Sequence, residues 1–161
     1  MAFTVVVPDV EEIAEGDAVE VARENARRKA EAVEGDLVIG VDTVVSLADR
    51  LFGKPRDADD ARAMLTALCG ETHRVVSGLA VKTSGETEVV AAETHVTFRA
   101  AESLIDWYLP HGEWRERAGG YAIQGRGAAF VRRITGDYLN VVGLPVAAML
   151  DRWPGVLDLA R

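Results

Sequence analysis

The sequence is poor in cysteine and in long apolar runs. Cys69 is the only cysteine, which excludes an intramolecular disulfide and is typical of a reducing compartment. Its place near the end of a predicted helix favours a buried, inert thiol over a nucleophile. No apolar run approaches the roughly 18 residues of a membrane span, and the N-terminus lacks the pattern of a signal peptide. The sequence therefore predicts a cytoplasmic protein that does not associate with membranes.

Histidine and positive charge are also scarce. The three histidines, His73, His95 and His111, lack the spacing of zinc ligands. Lysine and arginine number 18 against 26 acidic residues, which gives a formal net charge of −8. Such a chain repels nucleic acid polymers, whereas a small anionic substrate can still bind where a few cationic side chains line one cleft.

The composition is that of one globular domain, which we assign to residues 1–161. Hydrophobic residues make up 48% of the chain and charged residues 27%, close to the usual globular values. Short β-rich runs alternate with amphipathic stretches, and this alternation predicts an α/β fold. Strands are predicted at residues 3–7, 37–41, 74–83, 88–98 and 128–134, and helices at 17–33, 57–69, 102–109 and 144–153. The run 43–47 either continues the strand 37–41 or turns back from it.

Two short segments carry side chains suited to chemistry on phosphates. Asp42 directly follows the apolar run 37–41, and ligands of open α/β sheets bind at the carboxyl ends of strands. A helix or turn cap explains this acid equally well from the segment alone. Lys54 lies between a glycine and a proline, on a predicted stiff loop that suits a phosphate contact. The frame of a P-loop is absent around it.

Two later segments are rich in glycine. Residues 117–127 contain four glycines and two arginines, which would let backbone amides approach an anion. A plain flexible loop is the alternative interpretation of this segment. Residues 136–145 indicate a turn followed by the start of a helix.

Taken together and in this order, these segments resemble the Maf family. The match includes Asp-Val-Glu-Glu at residues 9–12, Asp-Thr-Val-Val at 42–45 and Gly-Lys-Pro at 53–55. Its most specific parts are Ala-Gly-Gly-Tyr-Ala-Ile-Gln-Gly at 118–125 and the run 136–145, from Gly-Asp-Tyr to Gly-Leu-Pro.

The resemblance implies a house-cleaning nucleoside triphosphate pyrophosphatase. Such an enzyme would cleave its substrate between the α and β phosphates and would require a divalent metal cation, Mg²⁺ or Mn²⁺. The implied fold is an elongated, twisted mixed sheet flanked by helices, with a cleft between two lobes, and the implied assembly is a homodimer. The form of segment 118–125 resembles the branch that acts on dTTP and UTP. The alternative is a weakly active or inactive nucleotide-binding regulator linked to septum formation and cell-division arrest.

The resemblance also assigns roles to individual residues. Asp42 matches the general base, which would accept a proton from the attacking water. Lys54 matches a lysine that contacts phosphate. Thr43 and Gln124 match positions associated with the choice of substrate, and the amide of Gln124 could pair with both a carbonyl and an N–H of a base.

The remaining substrate-binding positions implied by the resemblance are Glu11, Glu12, Lys29 and Arg117. Glu11 and Glu12 are the expected metal contacts, because Mg²⁺ prefers oxygen ligands. Arg117 stands where the family usually carries lysine. The positive charge is kept, but a planar fork replaces a point charge.

The usual opening of the family does not occur in this sequence. Maf proteins begin with a strand and a Ser-Pro-Arg-Arg-like turn, which would offer a hydroxyl, an arginine and helix N-terminal amides to the phosphates. No Ser-Pro-Arg-Arg is present. We therefore expect a domain that is N-terminally truncated relative to the family, and a natural start upstream of Met1 in preference to a shortened protein.

Overall fold

The computed structural model describes residues 3–156. The helices in this range are α1 (Ala18–Glu31), α2 (Ala58–Leu68), α3 (Ser103–Tyr108), α4 (Tyr138–Val142) and α5 (Val146–Arg152). The strands are β1 (Leu37–Leu47), β2 (Arg50–Phe52), β3 (Thr72–Thr83), β4 (Glu86–Phe98) and β5 (Val131–Thr135). Short 3₁₀ turns occupy Leu109–His111, Ala118–Gly120 and Arg126–Phe130. No helix of the described range is both long and apolar enough to cross a membrane.

Local capping explains the two longest helices. The Asp17 carboxylate accepts hydrogen bonds from the amides of Val19 and Glu20 at the start of α1. The Asp57 carboxylate accepts one from the amide of Asp60 at the start of α2, at 2.8 Å. These side chains satisfy amides that have no partner inside the helix. The predicted helices at 17–33 and 57–69 are confirmed, with ends that differ by one or two residues.

The five strands form one sheet in the order β2-β1-β3-β4-β5. Its four described pairings are all antiparallel. The expected α/β fold with a sheet flanked by helices is confirmed, and the described sheet is antiparallel where the resemblance implied a mixed one. β1 runs without interruption through residues 43–47, since Thr43 to Ser46 continue its pairing with β3.

Helix α1 lies unusually close to the sheet because glycines face it. A Cβ atom at Gly78 of β3 would lie 2.0 Å from the carbonyl oxygen of Ala22, and one at Gly40 of β1 would lie 2.4 Å from that of Ala26. Real Cβ atoms do not approach other atoms so closely. The helix therefore rests on β1 and β3 backbone to backbone, and its polar side chains reach the middle of β1.

The other face of the sheet is covered too. Leu79 of β3 packs against Met149 of α5 and Val156, whereas its neighbour Ala80 packs under α1. Burial on both faces explains why β3 is an almost continuous apolar run. The largest core cluster surrounds the buried rings of Phe98, Tyr108 and other aromatic residues.

The strand predicted at residues 3–7 is wrong. These residues form no regular structure, and Phe3, Val5 and Val7 are 75%, 76% and 91% exposed. β-branched residues favour a strand only when a neighbouring strand satisfies their backbone groups. The segment pairs with none of the described strands.

Three later boundaries also differ from prediction. The segment 128–134 divides into a 3₁₀ turn that ends at Phe130 and the strand β5. The segment 102–109 is helical only to Tyr108 and then tightens into a 3₁₀ turn that contains Pro110. The predicted helix at 144–153 is the shorter α5, and the preceding turn is itself a helix, α4.

Candidate active site

A cleft of about 340 Å³ opens beside the middle of β1. Its lining comes from residues 12–14, α1, β1, the loop after β2, residues 116–121 and residues 141–143. Six of the eight residues expected in the site lie together in this lining: Glu12, Lys29, Asp42, Thr43, Lys54 and Arg117. The structure thus brings together side chains that are up to 105 positions apart in the sequence, counting from Glu12 to Arg117.

Asp42 lies in the middle of β1 and is 7% exposed. The sequence placed it at the end of a strand, or at a cap, and both placements are wrong. The reason is that β1 continues through Leu47, paired first with β3 and then with β2. The rule that ligands bind at the carboxyl ends of strands holds for open sheets of parallel strands and does not apply to this antiparallel sheet. The side chain of Asp42 instead lines the cleft from the middle of β1.

Lys29 joins two carboxylates of the cleft. Its Nζ lies 2.5 Å from Oδ1 of Asp42 and 2.7 Å from Oε1 of Glu12. Burial alone would lower the pKa of Lys29, but the hydrogen bonds to Asp42 and Glu12 outweigh burial and raise the pKa above its usual value. Lys29 therefore stays protonated at neutral pH and neutralises part of the negative charge that Asp42 and Glu12 bring into the cleft.

Asn25 completes the contacts of Asp42, and the sequence did not reveal it. Its Nδ2 donates to Oδ2 of Asp42 at 3.1 Å and to the carbonyl oxygen of Ile13 at 3.0 Å. Its Oδ1 accepts from the backbone amide of Ile13 at 2.8 Å. The available signal was a polar residue on the buried stripe of α1, four positions after Val21 and four before Lys29.

The cationic side chains in the rest of the cleft differ in their partners. Lys54 lies on an exposed loop, as predicted, and its Nζ is 3.1 Å from a carboxylate oxygen of Glu116. Glu116 has a left-handed backbone with φ of +58°, which is unfavourable for a residue with a side chain. No described carboxylate lies within 4.0 Å of the guanidinium nitrogens of Arg117. Arg117 is thus available to an anion that enters the cleft.

Thr43 links the cleft to α4. Its Oγ1 is 2.8 Å from Oγ of Ser77, which in turn donates to the carbonyl oxygen of Asn140 at 3.3 Å. Asn140 is fully buried and donates from Nδ2 to the carbonyl oxygen of Val75. These contacts fix the segment 141–143 beside Thr43.

Two expected site residues lie outside the cleft lining. Glu11 is exposed, and only its carbonyl oxygen is held, by Nη1 of Arg28 at 2.8 Å. Gln124 is exposed on the turn that follows Ile123. Neither side chain is among those that line the cleft.

The glycine-rich segment does not offer a ring of free amides. The amide of Gly119 donates to the carbonyl oxygen of Gly53, that of Gly120 to Arg117, and that of Gly125 to Ala122. Three of the four glycine amides of the segment are therefore already hydrogen-bonded within the protein and do not form a cradle for an anion. Its glycines serve tight packing, since Gly119 has a φ of +71° and lies against Val45.

The donor set of the cleft fits a metal that arrives with a phosphate substrate. Within residues 3–156, no group of three or more histidine, cysteine, aspartate or glutamate side chains is arranged to hold a metal ion. Glu12 and Asp42 nevertheless converge on one positive charge, the ammonium of Lys29. Mg²⁺ commonly takes one or two protein carboxylates and completes its shell with phosphate oxygens and waters.

Comparison with known proteins shows which family this chain is similar to. The family model described as Maf-like protein matches residues 1–152. A Pyrococcus furiosus protein named dTTP/UTP pyrophosphatase is 45% identical over 135 residues, which cover 83% of this chain and 70% of the relative. A Myxococcus xanthus protein of the same name is 44% identical over 160 residues, or 93% of this chain and 81% of the relative.

A third relative has the same name and a higher identity over a shorter match. This Anaeromyxobacter dehalogenans protein is 50% identical over 128 residues, which cover 76% of this chain and 66% of the relative. The match to the family model covers nearly the whole chain and includes every segment that lines the cleft. The chain therefore belongs to the Maf family.

Proposed function

We propose that this protein is a nucleoside triphosphate pyrophosphatase that hydrolyses dTTP or UTP to the nucleoside monophosphate and pyrophosphate. The observation that carries the proposal is the cleft itself, in which Asp42 is held between Lys29 and Asn25 while Lys54 and Arg117 lie in the same lining. The relatives named dTTP/UTP pyrophosphatase supply the substrate class. They also disfavour the alternative of an inactive regulator.

Asp42 has the geometry of a general base. Lys29 donates a hydrogen bond to Oδ1 of Asp42 and Asn25 donates one to Oδ2. A carboxylate can accept about four hydrogen bonds, so about two acceptor positions remain. A water molecule in the cleft can therefore donate a proton to Asp42 while its oxygen attacks the α-phosphorus. A bond forms between this oxygen and phosphorus, the bridge to the β-phosphorus breaks, and its electron pair leaves with pyrophosphate.

The cations of the cleft bind and orient the phosphates. A triphosphate brings several negative charges, and hydrolysis at phosphorus depends mainly on positioning and on neutralising these charges. Arg117, which has no described acidic partner, offers a planar fork to a phosphate oxygen. Lys54 offers a second cation once a phosphate displaces Glu116.

A divalent cation, Mg²⁺ or Mn²⁺, would add Lewis-acid stabilisation of the phosphate oxygens when it is bound. Glu12 and Asp42 are the residues that would hold it, since both line the cleft and the side chain of Glu11 does not. The family resemblance also leads us to propose a homodimer that acts in the cytoplasm. Light scattering on the purified protein measures the assembly.

The test is the identity of the products. The protein is incubated with dTTP, UTP, CTP and GTP in turn, with Mg²⁺ or Mn²⁺, and the products are separated by ion-exchange chromatography. We expect dTTP and UTP to give the monophosphate and pyrophosphate, and ¹⁸O from labelled water to enter the monophosphate. Release of inorganic phosphate and a diphosphate, or no product from any nucleotide, would contradict the proposal.

A further inference from the structure

A buried amide links the proposed base to the segment that precedes α1. We call this segment, residues 3–16, the arm, because it contains no helix or strand. Asn25 is 2% exposed and makes three hydrogen bonds, two to the backbone of Ile13 in the arm and one to Asp42. Both amide hydrogens and the amide oxygen are used, so the orientation of the side chain is fixed.

The two bonds to Ile13 imitate a strand pairing. The backbone N–H and C=O of Ile13 meet the oxygen and nitrogen of one amide, at 2.8 and 3.0 Å. This contact fixes Ile13 and places the preceding Glu12, whose carboxylate reaches Lys29 at 2.7 Å. The arm pairs with none of the described strands, so the amide substitutes for a neighbouring strand at this one residue.

The third bond limits the rotation of Asp42. Lys29 holds Oδ1 and Asn25 holds Oδ2, so the carboxylate plane is set by donors on opposite oxygens. Asn25 and Lys29 are one helical turn apart on α1, which the glycines of β1 and β3 bring against the sheet. The geometry of the base is thus built into the contact between α1 and the sheet.

We propose that Asn25 is a positioning residue, which orients Asp42 toward the attacking water and uses the backbone of Ile13 as its anchor. This inference rests on the proposed function, because it names the residue that aligns the base of that reaction. Asn25 itself does not touch the reacting atoms. Its amide acts through Asp42, and its effect on turnover depends on the presence of the Asp42 carboxylate.

The kinetic test is a double-mutant cycle with the full chain. Asn25→Ala is expected to lower kcat for UTP about 10- to 100-fold, the effect of a small misplacement of a catalytic group, and to change KM less than kcat. In the Asp42→Asn background the same substitution should lower kcat by less than about threefold, because residues that act as a unit are not additive. Equal fold-losses in the two backgrounds would overturn the proposal.

Arg28→Ala is the matched control in the same helix. Arg28 also holds the arm, through the carbonyl oxygen of Glu11, but it does not touch Asp42. Any loss in kcat from Arg28→Ala should be the same in both backgrounds. A loss that disappears in the Asp42→Asn background would show that loosening the arm alone reproduces the effect, and would contradict a direct role of Asn25.

Asn25→Asp keeps one bond of the anchor and removes the bond that orients Asp42. It keeps the oxygen that accepts from the Ile13 amide and loses the nitrogen that donates to Asp42 and to the carbonyl oxygen of Ile13. We expect the Ile13 amide to stay protected from hydrogen exchange in Asn25→Asp and in Arg28→Ala, and to lose protection in Asn25→Ala. We expect kcat to fall at least tenfold in Asn25→Asp; retention of kcat would overturn the role of the nitrogen.

Hydrogen exchange needs no substrate, so it tests the anchor independently of the proposed function. If the wild-type protein releases no pyrophosphate but its Ile13 amide is protected, the proposed function fails and the anchor stands. If the wild type is active but its Ile13 amide exchanges as fast as exposed residues of the arm, the anchor fails and the proposed function stands. Thermal melting of each variant confirms that it is folded.

Discussion

The close contact between α1 and the sheet makes a quantitative prediction for Gly78→Ala. The new Cβ would lie 2.0 Å from the carbonyl oxygen of Ala22, and ordinary van der Waals contact begins at 3.4 Å. Helix α1 must therefore move away from β3 by roughly 1.4 Å, the difference between these distances. The obstructing atom belongs to the helix backbone, so no side-chain rotation relieves it.

The loss of stability caused by this displacement should lie at the upper end of the range measured for overpacked protein cores. We expect the free energy of unfolding to fall by about 3 kcal/mol, and the melting temperature by roughly 6–12 °C for a chain of this size. Activity should fall more steeply than stability suggests, because α1 carries both Asn25 and Lys29. A shift of about 1 Å in catalytic geometry costs about a hundredfold in rate.

Thermal melting and pyrophosphate release from UTP, at a temperature where both proteins are folded, measure the two effects. Gly155→Ala is the matched control, because no atom of the described residues beyond its chain neighbours lies within 4 Å of its added Cβ and its backbone is not left-handed. A melting temperature equal to that of the control would refute the packing argument. A large fall in melting temperature with full activity would refute the coupling of α1 to the site.

Three further predictions follow from single side chains. Burial lowers the pKa of His73 from 6.5 to about 4, so as the pH falls the unfolded chain takes up this proton before the folded chain does. The free energy of unfolding should therefore fall by up to roughly 3 kcal/mol as the pH drops from 6.5 to 4. Denaturant melts of wild type and His73→Gln check this, and an equal dependence of the unfolding free energy on pH in both proteins would refute it. Glu116→Asn should raise the free energy of unfolding by about 1 kcal/mol, because asparagine tolerates the left-handed backbone. The same substitution should strengthen inhibition by pyrophosphate, because it frees Lys54 from its carboxylate partner. An unchanged melting temperature and unchanged inhibition would contradict both effects. Gln124→Ala should leave the ranking of kcat/KM for dTTP, UTP, CTP and GTP unchanged, because the side chain lies outside the cleft lining; an altered ranking would restore Gln124 as a selector of the base.

The sequence predicted those elements whose determinants are local. Helices α1 and α2 begin directly after Asp17 and Asp57, whose capping bonds reach only residues two or three positions away. The strands predicted at 74–83 and 88–98 form the hairpin of β3 and β4, which turns at Ser84 and Gly85, where the backbone is left-handed. The grouping of the cleft residues was predicted by the family resemblance, because their order and motifs are those of the Maf segments.

Features that depend on distant partners were missed or misplaced. Residues 3–7 have strong β propensity, but a strand also requires a neighbour, which propensity does not report. Asp42 was predicted at the end of a strand because the apolar run 37–41 does not reveal that the strand continues to Leu47 in an antiparallel sheet. The role of Asn25 depends on the approach of α1 to β1, which becomes apparent only when Gly40 and Gly78 are placed beneath the helix.

The central claim is that the Asp42 carboxylate activates the attacking water. The most direct measurement is kcat for pyrophosphate release from UTP by Asp42→Asn, compared with wild type and with Asp36→Asn, which changes an exposed acid outside the cleft lining. We predict a loss of at least about a hundredfold in Asp42→Asn, in the range of general acid–base catalysis, with wild-type turnover in Asp36→Asn. A folded Asp42→Asn protein with near wild-type turnover would contradict the claim and remove Asp42 from the mechanism.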